Sequence, residues 1–143
     1  MPGRALVVLI ATLVAFPLGL QNHDNNRATE ADAVARGRYL VEGVAMCGSC
    51  HTPRDQQGSA DTGRLLLGGP VPFEPARPTE GWAAVAPRLA GLPPGTDAQF
   101  ITLMMTGISR TGARPRAPMP QFRMTRADAE ATLAYLKSIK PPE

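Results

Sequence analysis

The pentapeptide Cys47-Gly48-Ser49-Cys50-His51 constrains this 143-residue chain more than any other feature. C-x-x-C-H is the pattern of a covalent attachment site for a c-type haem. Two thiols three positions apart can both react with the vinyl groups on one side of a porphyrin, and the histidine that follows can then ligate the iron. Cys47 and Cys50 are the only two cysteines of the chain. The motif therefore predicts one haem c, held by Cys47 and Cys50 and ligated by His51 on its proximal side.

Three other interpretations of the motif are weaker. A thioredoxin-type redox pair needs a βαβ context, which the surrounding sequence does not offer. A structural disulfide would leave His51 without a role. A closed zinc site needs four ligands, and the second histidine of the chain, His23, lies upstream in a polar tract.

Residues 1–20 have the pattern of an export signal. A single positive charge in residues 1–4 precedes an uncharged run from Ala5 to Leu20, as in the n-region and h-region of a secretory signal. The run is shorter than the roughly twenty apolar residues of a spanning helix, but its cleavage site is poor. We therefore expect either a signal peptide or an N-terminal membrane anchor formed by residues 5–20, and an exported domain in the periplasm or on the outer face of the cytoplasmic membrane.

Residues 21–28 are polar and are predicted to be a tether, which leaves 29–143 as one small domain. Glycine and proline are abundant, with 14 and 15 residues, and they cluster between positions 53 and 95. A domain of this size buries too little surface with its own side chains, and a haem can supply the missing core.

Three helices are predicted, and no alternating strand. Each begins at a threonine with an acidic or amide residue three positions later, which is the capping-box pattern. The second helix should end near Gly107, and the last before Pro141 and Pro142. The first should bury a stripe at helical spacing. The three capping pairs are Thr29 with Asp32, Thr96 with Gln99, and Thr125 with Asp128, and the stripe is Ala33, Gly37, Leu40, Val41 and Val44.

The order of these elements resembles a class I cytochrome c, and more narrowly the monohaem domains in cytochrome subunits of periplasmic alcohol and aldehyde dehydrogenases. Three stretches carry the resemblance: 37–41 leading into 47–55, which contains Cys-His-Thr-Pro-Arg-Asp; 117–122, which contains Pro-Met-Pro; and 128–138. It implies an all-α fold with three main helices and Pro/Gly-rich loops around one covalently attached haem. The sequence departs from the group between Gly68 and Pro94, where the usual Asn-Leu-Thr-Pro stretch is missing.

The resemblance also implies roles for single residues. Met119, in the loop before the last helix, corresponds to the sixth iron ligand; loop packing is the alternative role, and Met124 is the second candidate ligand. Gly37 and Tyr135 correspond to the crossing of the first and last helices. Two further interpretations stayed open. Either Pro70 or Pro72 could accept a hydrogen bond from the His51 ring, and Trp82 could bind a haem propionate or simply pack.

These features predict an electron-transfer protein and not an enzyme, either a carrier or a subunit of a larger complex. Its redox partner would be a dehydrogenase, a quinol-oxidising complex or a terminal oxidase. The alternatives are a haem peroxidase or gas sensor with a displaceable methionine, and an accessory structural subunit. Nucleic-acid binding is not expected, because the net charge is only +3 and the chain is predicted to be exported.

Five arginines surround Met119 in the sequence. They could form an electropositive collar that steers the haem edge onto an acidic partner. The alternative is an ordinary solvated face in which one or two arginines bind haem propionates. The five are Arg110, Arg114, Arg116, Arg123 and Arg126.

Overall fold

The computed structural model describes residues 29–91 and 93–142. The predicted signal or anchor at 1–20, the tether at 21–28 and His23 lie outside the described residues. Within the described part of the chain, no helix is both long and apolar enough to cross a membrane.

The first helix, α1, ends in a wider turn. Residues 29–38 are α-helical and continue into a π-helical segment, Tyr39–Val44. Leu40 and Val41 are buried as predicted, but Val44 is 55% exposed. The prediction for Val44 was wrong because a π turn holds more residues than an α turn, so the α-helical spacing fails beyond Val41. The backbone N–H of Cys47 then donates to the carbonyl of Val41 at 2.9 Å, which joins the motif to this helix.

The two later helices have the predicted boundaries. Helix α3 spans Asp97–Thr106, with a complete capping box between Thr96 and Gln99 and a left-handed Gly107 at its C-terminus. Helix α4 spans Arg126–Ser138, and the Thr125 side chain accepts a hydrogen bond from the Asp128 N–H. The Asp128 carboxylate pairs with Arg36 of α1 at 2.9 Å. The two helices pack on each other, and Lys137 pairs with Asp97 at 2.6 Å.

Shorter elements connect the main helices. Helix α2 is the single turn Gly48–His51 of the motif, and a 3-10 turn follows at Thr62–Arg64. Strands β1, Gly69–Pro70, and β2, Val85–Ala86, form a two-stranded antiparallel sheet with Gly69 opposite Ala86. The sequence did not predict these strands, because two residues are too few for an alternating pattern. The fold is otherwise helical and confirms the all-α class.

Helices α1 and α4 cross at Gly37, as predicted. A Cβ atom built on Gly37 would lie 1.9 Å from the carbonyl oxygen of Ala131 and 2.7 Å from the Cβ of Tyr135. The Tyr135 hydroxyl donates to the Glu42 carboxylate beyond the crossing. Burial, reinforced by this carboxylate, raises the pKa of Tyr135 to about 12. The hydrogen bond from Tyr135 in turn lowers the pKa of Glu42.

Gly37→Ala should destabilise the haem-loaded protein by about 1–3 kcal/mol, because the new methyl group overlaps the α4 backbone and forces the helices apart. Urea unfolding measured by circular dichroism gives the free energy of unfolding. Gly43→Ala is the matched control in α1, since its Cβ would meet only the Tyr39 ring, at 3.6 Å. Equal stability of the two variants would mean that the backbones do not need this close approach.

Candidate cofactor site

A cavity of about 390 Å³ opens into the core between the motif, the β1–β2 hairpin, α3, α4 and the loop before α4. All four residues that the sequence predicts as cofactor-binding line it: Cys47, Cys50, His51 and Met119. The rest of the lining is mostly apolar, and it includes Val71, Val85, Leu89, Phe100, Leu103, Met104, Phe122 and Leu136. The size and character of the cavity suit one large apolar ligand with a few polar contacts.

The single turn α2 brings the two thiols to this cavity. The His51 N–H donates to the Cys47 carbonyl at 2.9 Å, which closes the turn. Residues three apart lie on the same face of a helical turn, and both cysteines are unpaired and half-buried. Burial raises the pKa of the Cys47 thiol to about 11. Both cysteines therefore line one cavity from the same turn, which is the arrangement that two thioether bonds to one haem would require.

His51 is 8% exposed and its ring has a fixed orientation. Its Nδ1 lies 2.7 Å from the carbonyl oxygen of Pro87. Because a carbonyl can only accept, Nδ1 must carry the proton, and Nε2 is left with its lone pair. Burial lowers the pKa of His51, although the bond to Pro87 opposes the shift. The ring is therefore held neutral, in the state that ligates a metal.

The expected hydrogen-bond partner of His51 was wrong. The sequence pointed to Pro70 or Pro72, but the acceptor is Pro87, 36 positions after the histidine. Pro70 lies in β1, directly after Gly69. In the β1–β2 pairing Gly69 lies opposite Ala86. Pro87, the residue directly after β2, therefore reaches the His51 ring, and Pro70 in β1 does not. Local sequence carries no signal for this pairing.

A tightly packed segment holds Pro87 in place. The Gly68 N–H donates to the His51 carbonyl at 2.7 Å. A Cβ atom on Gly68 would lie only 2.6 Å from the Arg88 nitrogen, and its φ of +77° is one that glycine adopts readily. Two residues before Gly68, the Leu66 N–H donates to the buried Thr52 hydroxyl at 3.1 Å. The same segment thus contacts the motif on one side and residues 86–88 on the other.

Met119 approaches the cavity from the loop between α3 and α4. Its N–H donates to the Arg116 carbonyl at 3.1 Å, and it lies between Pro118, whose peptide bond is cis, and Pro120. Met46 and Met104 also line the cavity, whereas Met124 does not. The Met124 sulfur instead lies 3.7 Å from the Thr132 hydroxyl.

Two of the five arginines around Met119 line the cavity, and Trp82 is not among the lining residues. Arg110 and Arg116 line the cavity. Trp82 packs edge-on against Phe73, with ring centroids 6.1 Å apart, which favours packing over propionate binding. The other collar members Arg114, Arg123 and Arg126 are not in the lining.

These groups fit a c-type haem. The cavity supplies two thiols on one side, a neutral imidazole with a free Nε2, a thioether and an apolar wall. Thiols, imidazole and thioether are the groups that attach and ligate haem c.

Comparison with known proteins supports this assignment. Residues 34–140 match the family model for cytochrome c. A diheme cytochrome c-type protein of Cereibacter sphaeroides is 62% identical over 37 residues, which are 26% of this chain and 12% of that protein. The cytochrome c subunit of a quinone alcohol dehydrogenase from Gluconacetobacter polyoxogenes is 31% identical over 119 residues, covering 76% and 25% of the two chains. The fructose dehydrogenase cytochrome subunit of Gluconobacter japonicus is 30% identical over 121 residues, covering 78% and 23%.

The chain thus spans a quarter or less of the length of these relatives. The family match nevertheless covers most of the chain, including the motif turn, the cavity and the helices that cross beside it. This chain belongs to the cytochrome c family, and it is an electron-transfer domain related to the cytochrome subunits of dehydrogenases.

Proposed function

We propose that this protein carries single electrons on one c-type haem, attached through Cys47 and Cys50 and ligated by His51 and Met119. The observation that carries the proposal is that these four residues line one apolar cavity. When bound, the haem supplies a one-electron ferric–ferrous couple, which His/Met ligation shifts towards the ferrous state. Because His51 and Met119 would both ligate the iron, no ligand position would be left open for oxygen or peroxide, and the proposed role is that of a carrier and not an enzyme.

The chain's own residues hold and shield the cofactor. Pro87 keeps the His51 ring in one orientation and one tautomer through the Nδ1 hydrogen bond. The same bond makes Nε2 more basic, and so a stronger ligand for the iron. Phe100, Met104 and Leu136 line the cavity from α3 and α4 and are themselves buried. A wall of this kind excludes water and favours the less charged form of the iron centre.

We place the protein on the periplasmic side of the cytoplasmic membrane, in contact with a dehydrogenase that donates electrons to it. The relatives named as cytochrome subunits of alcohol and fructose dehydrogenases support this partner class. The predicted signal or anchor in residues 1–20 supports the location. A quinol-oxidising complex is the alternative electron donor, and a terminal oxidase is the partner class that would accept the onward electron.

Covalent attachment is the first test. Haem should stay with the polypeptide through acid–acetone extraction, and Cys47→Ala combined with Cys50→Ala should abolish this retention, because no other thiol is available in the chain. The pyridine haemochrome spectrum of the extracted protein measures the bound haem and gives its number per chain. Retention of covalent haem in the double variant would refute attachment through the motif.

Ligation is the second test. Met119→Ala should abolish the weak absorption band near 695 nm that methionine ligation gives ferric haem, and it should lower the reduction potential, since the thioether favours ferrous iron. Met124→Ala is the matched control, because Met124 does not line the cavity. Loss of the band and a lower reduction potential in Met124→Ala, but not in Met119→Ala, would identify Met124 as the ligand. An unmodified ferric protein that binds cyanide as fast as Met119→Ala would support the peroxidase or gas-sensor alternative.

The five arginines of the collar differ in the contacts that their side chains make. Arg116 donates to the carbonyls of Gly81 and Trp82, Arg123 to the carbonyl of Phe122, and Arg126 lies 3.8 Å from the Glu130 carboxylate. Arg110 and Arg114 make no hydrogen bond or ion pair with any described residue. We propose that these two present positive charge to an acidic partner beside the cavity.

If Arg114 steers docking, electron transfer to the partner should slow as ionic strength rises through the physiological range, where the Debye length is about 8 Å. Arg114→Glu should lower the association rate and flatten this salt dependence without changing the haem spectrum. Lys140→Glu is the control with the same change in net charge, on an exposed residue outside the cavity lining. Stopped-flow mixing with the reduced partner measures both rates.

The outcomes separate steering from its alternatives. Equal effects of Arg114→Glu and Lys140→Glu would mean that only the net charge of the protein affects association. Electron-transfer rates that change neither with salt nor with charge reversal at Arg114 would indicate a permanently bound subunit. Arg110 lines the cavity, so its charge could act on the haem directly. A shifted reduction potential in Arg110→Gln would indicate that Arg110 binds a haem propionate.

A further inference from the structure

The segment that departs from the family pattern, between Gly68 and Pro94, forms a hairpin that extends beyond its two short strands. The Val71 N–H donates to the Ala84 carbonyl at 2.9 Å, which closes a loop over residues 71–84. Phe73 packs edge-on against Trp82 within this loop. Both Val71 and Ala83, at the base of the loop, line the cavity.

The 71–84 loop is hydrogen-bonded to the loop that carries Met119. The Ala83 N–H donates to the Ala117 carbonyl at 2.6 Å. The Arg116 guanidinium donates from Nε to the Gly81 carbonyl at 3.0 Å and from Nη2 to the Trp82 carbonyl at 2.7 Å. Three hydrogen bonds therefore join residues 81–83 to residues 116–117, two positions before Met119.

Arg116 connects to Met119 directly as well, since its carbonyl accepts the Met119 N–H at 3.1 Å. One residue thus contacts the 71–84 loop with its side chain and the methionine with its backbone. Arg116 is exposed and also lines the cavity, so the two contacts lie where the cavity meets the surface.

We propose that Arg116 is a positioning residue that holds the Met119 loop closed against the 71–84 loop. The inference rests on the proposed ligation by Met119 and adds a cause for its stability. A thioether is a weak neutral ligand, so the time it spends on the iron depends on how rarely its loop opens. Arg116 keeps the loop closed through its paired hydrogen bonds, and its charge is not the part that matters.

The geometry explains why an arginine occupies this position. The planar, forked guanidinium of Arg116 has two donors that reach the carbonyls of two successive residues, Gly81 and Trp82. Lysine keeps the positive charge but offers a single flexible ammonium group, which does not reproduce the fork. Arg114, two positions earlier, carries the same charge and makes no hydrogen bond with any described residue, so it serves as a matched comparison.

The hairpin also contacts His51 of the motif. Before β1, the Gly68 N–H donates to the His51 carbonyl at 2.7 Å, and after β2, Pro87 accepts from the His51 ring at 2.7 Å. The hydrogen bonds that support His51 and those that support the Met119 loop therefore belong to one segment, 68–87. Arg116 makes two of the three bonds by which that segment reaches the methionine loop.

The test measures how often the methionine loop opens. Cyanide binds ferric haem only after methionine leaves, so at saturating cyanide the binding rate reports loop opening. Arg116→Gln should raise this rate about tenfold, the factor expected when a pair of hydrogen bonds is lost. Arg116→Lys should also raise it, because the charge remains but the fork is gone. Arg114→Gln should stay within about twofold of the unmodified protein, as a surface substitution does.

A second measurement does not depend on ligation. Amide hydrogen exchange followed by NMR should show faster exchange at Ala83 and Met119 in Arg116→Gln and Arg116→Lys. The Ala83 amide donates to Ala117 across the contact between the two loops, and the Met119 amide donates to the carbonyl of Arg116, the residue whose side chain bridges them. Arg114→Gln should leave both amides protected. Amide exchange can also be measured for a variant whose cyanide binding is too weak to detect.

The results distinguish the two levels of the proposal. If Met119→Ala binds cyanide no faster than the unmodified protein, ligation by Met119 is wrong, and the exchange of Ala83 and Met119 alone decides the role of Arg116. Unchanged exchange in Arg116→Gln overturns the positioning role. An Arg116→Lys variant that behaves like the unmodified protein in both measurements also overturns it, because charge would then suffice.

Discussion

The hydrogen bond between the His51 ring and the Pro87 carbonyl organises the site. A single helical turn such as Gly48–His51 has little stability of its own, so it cannot by itself fix where its histidine points. The ring direction comes from a carbonyl 36 positions later, and Gly68 brings that carbonyl close by contacting the motif and residues 86–88 at once. The Pro/Gly-rich segment is thus a structural part of the site and not a passive connection.

The same side chains build the core and the cavity. Phe100, Met104 and Leu136 belong to the hydrophobic cluster between α3 and α4 and also line the cavity. In a domain this small, an apolar cofactor adds a large share of the buried surface. Binding of the haem and packing of the helices are therefore linked, since a ligand that binds only the folded state stabilises that state.

Sequence and structure agree where the signal is local. Thr96 with Gln99 and Thr125 with Asp128 cap their helices as predicted, and Gly107 ends α3, because a cap involves residues only a few positions apart. The prediction failed for Val44, where the π-helical turn changes the periodicity. It also failed for the His51 acceptor, and it gave no sign of the hydrogen bonds from Arg116 to Gly81 and Trp82. In both cases the partners lie more than thirty positions apart in the sequence.

The sequence by itself determined the chemistry: two thiols and an imidazole at C-x-x-C-H spacing, a methionine between two prolines, and helices with readable ends. These follow from residue identity and from spacings of three or four positions, which secondary structure converts directly into geometry. The tertiary structure alone decided which carbonyl orients His51 and which loop supports Met119. Both depend on the pairing of Gly69 with Ala86, and a two-residue ladder between loops leaves no periodic pattern in the sequence, because its register is set by packing against the rest of the domain.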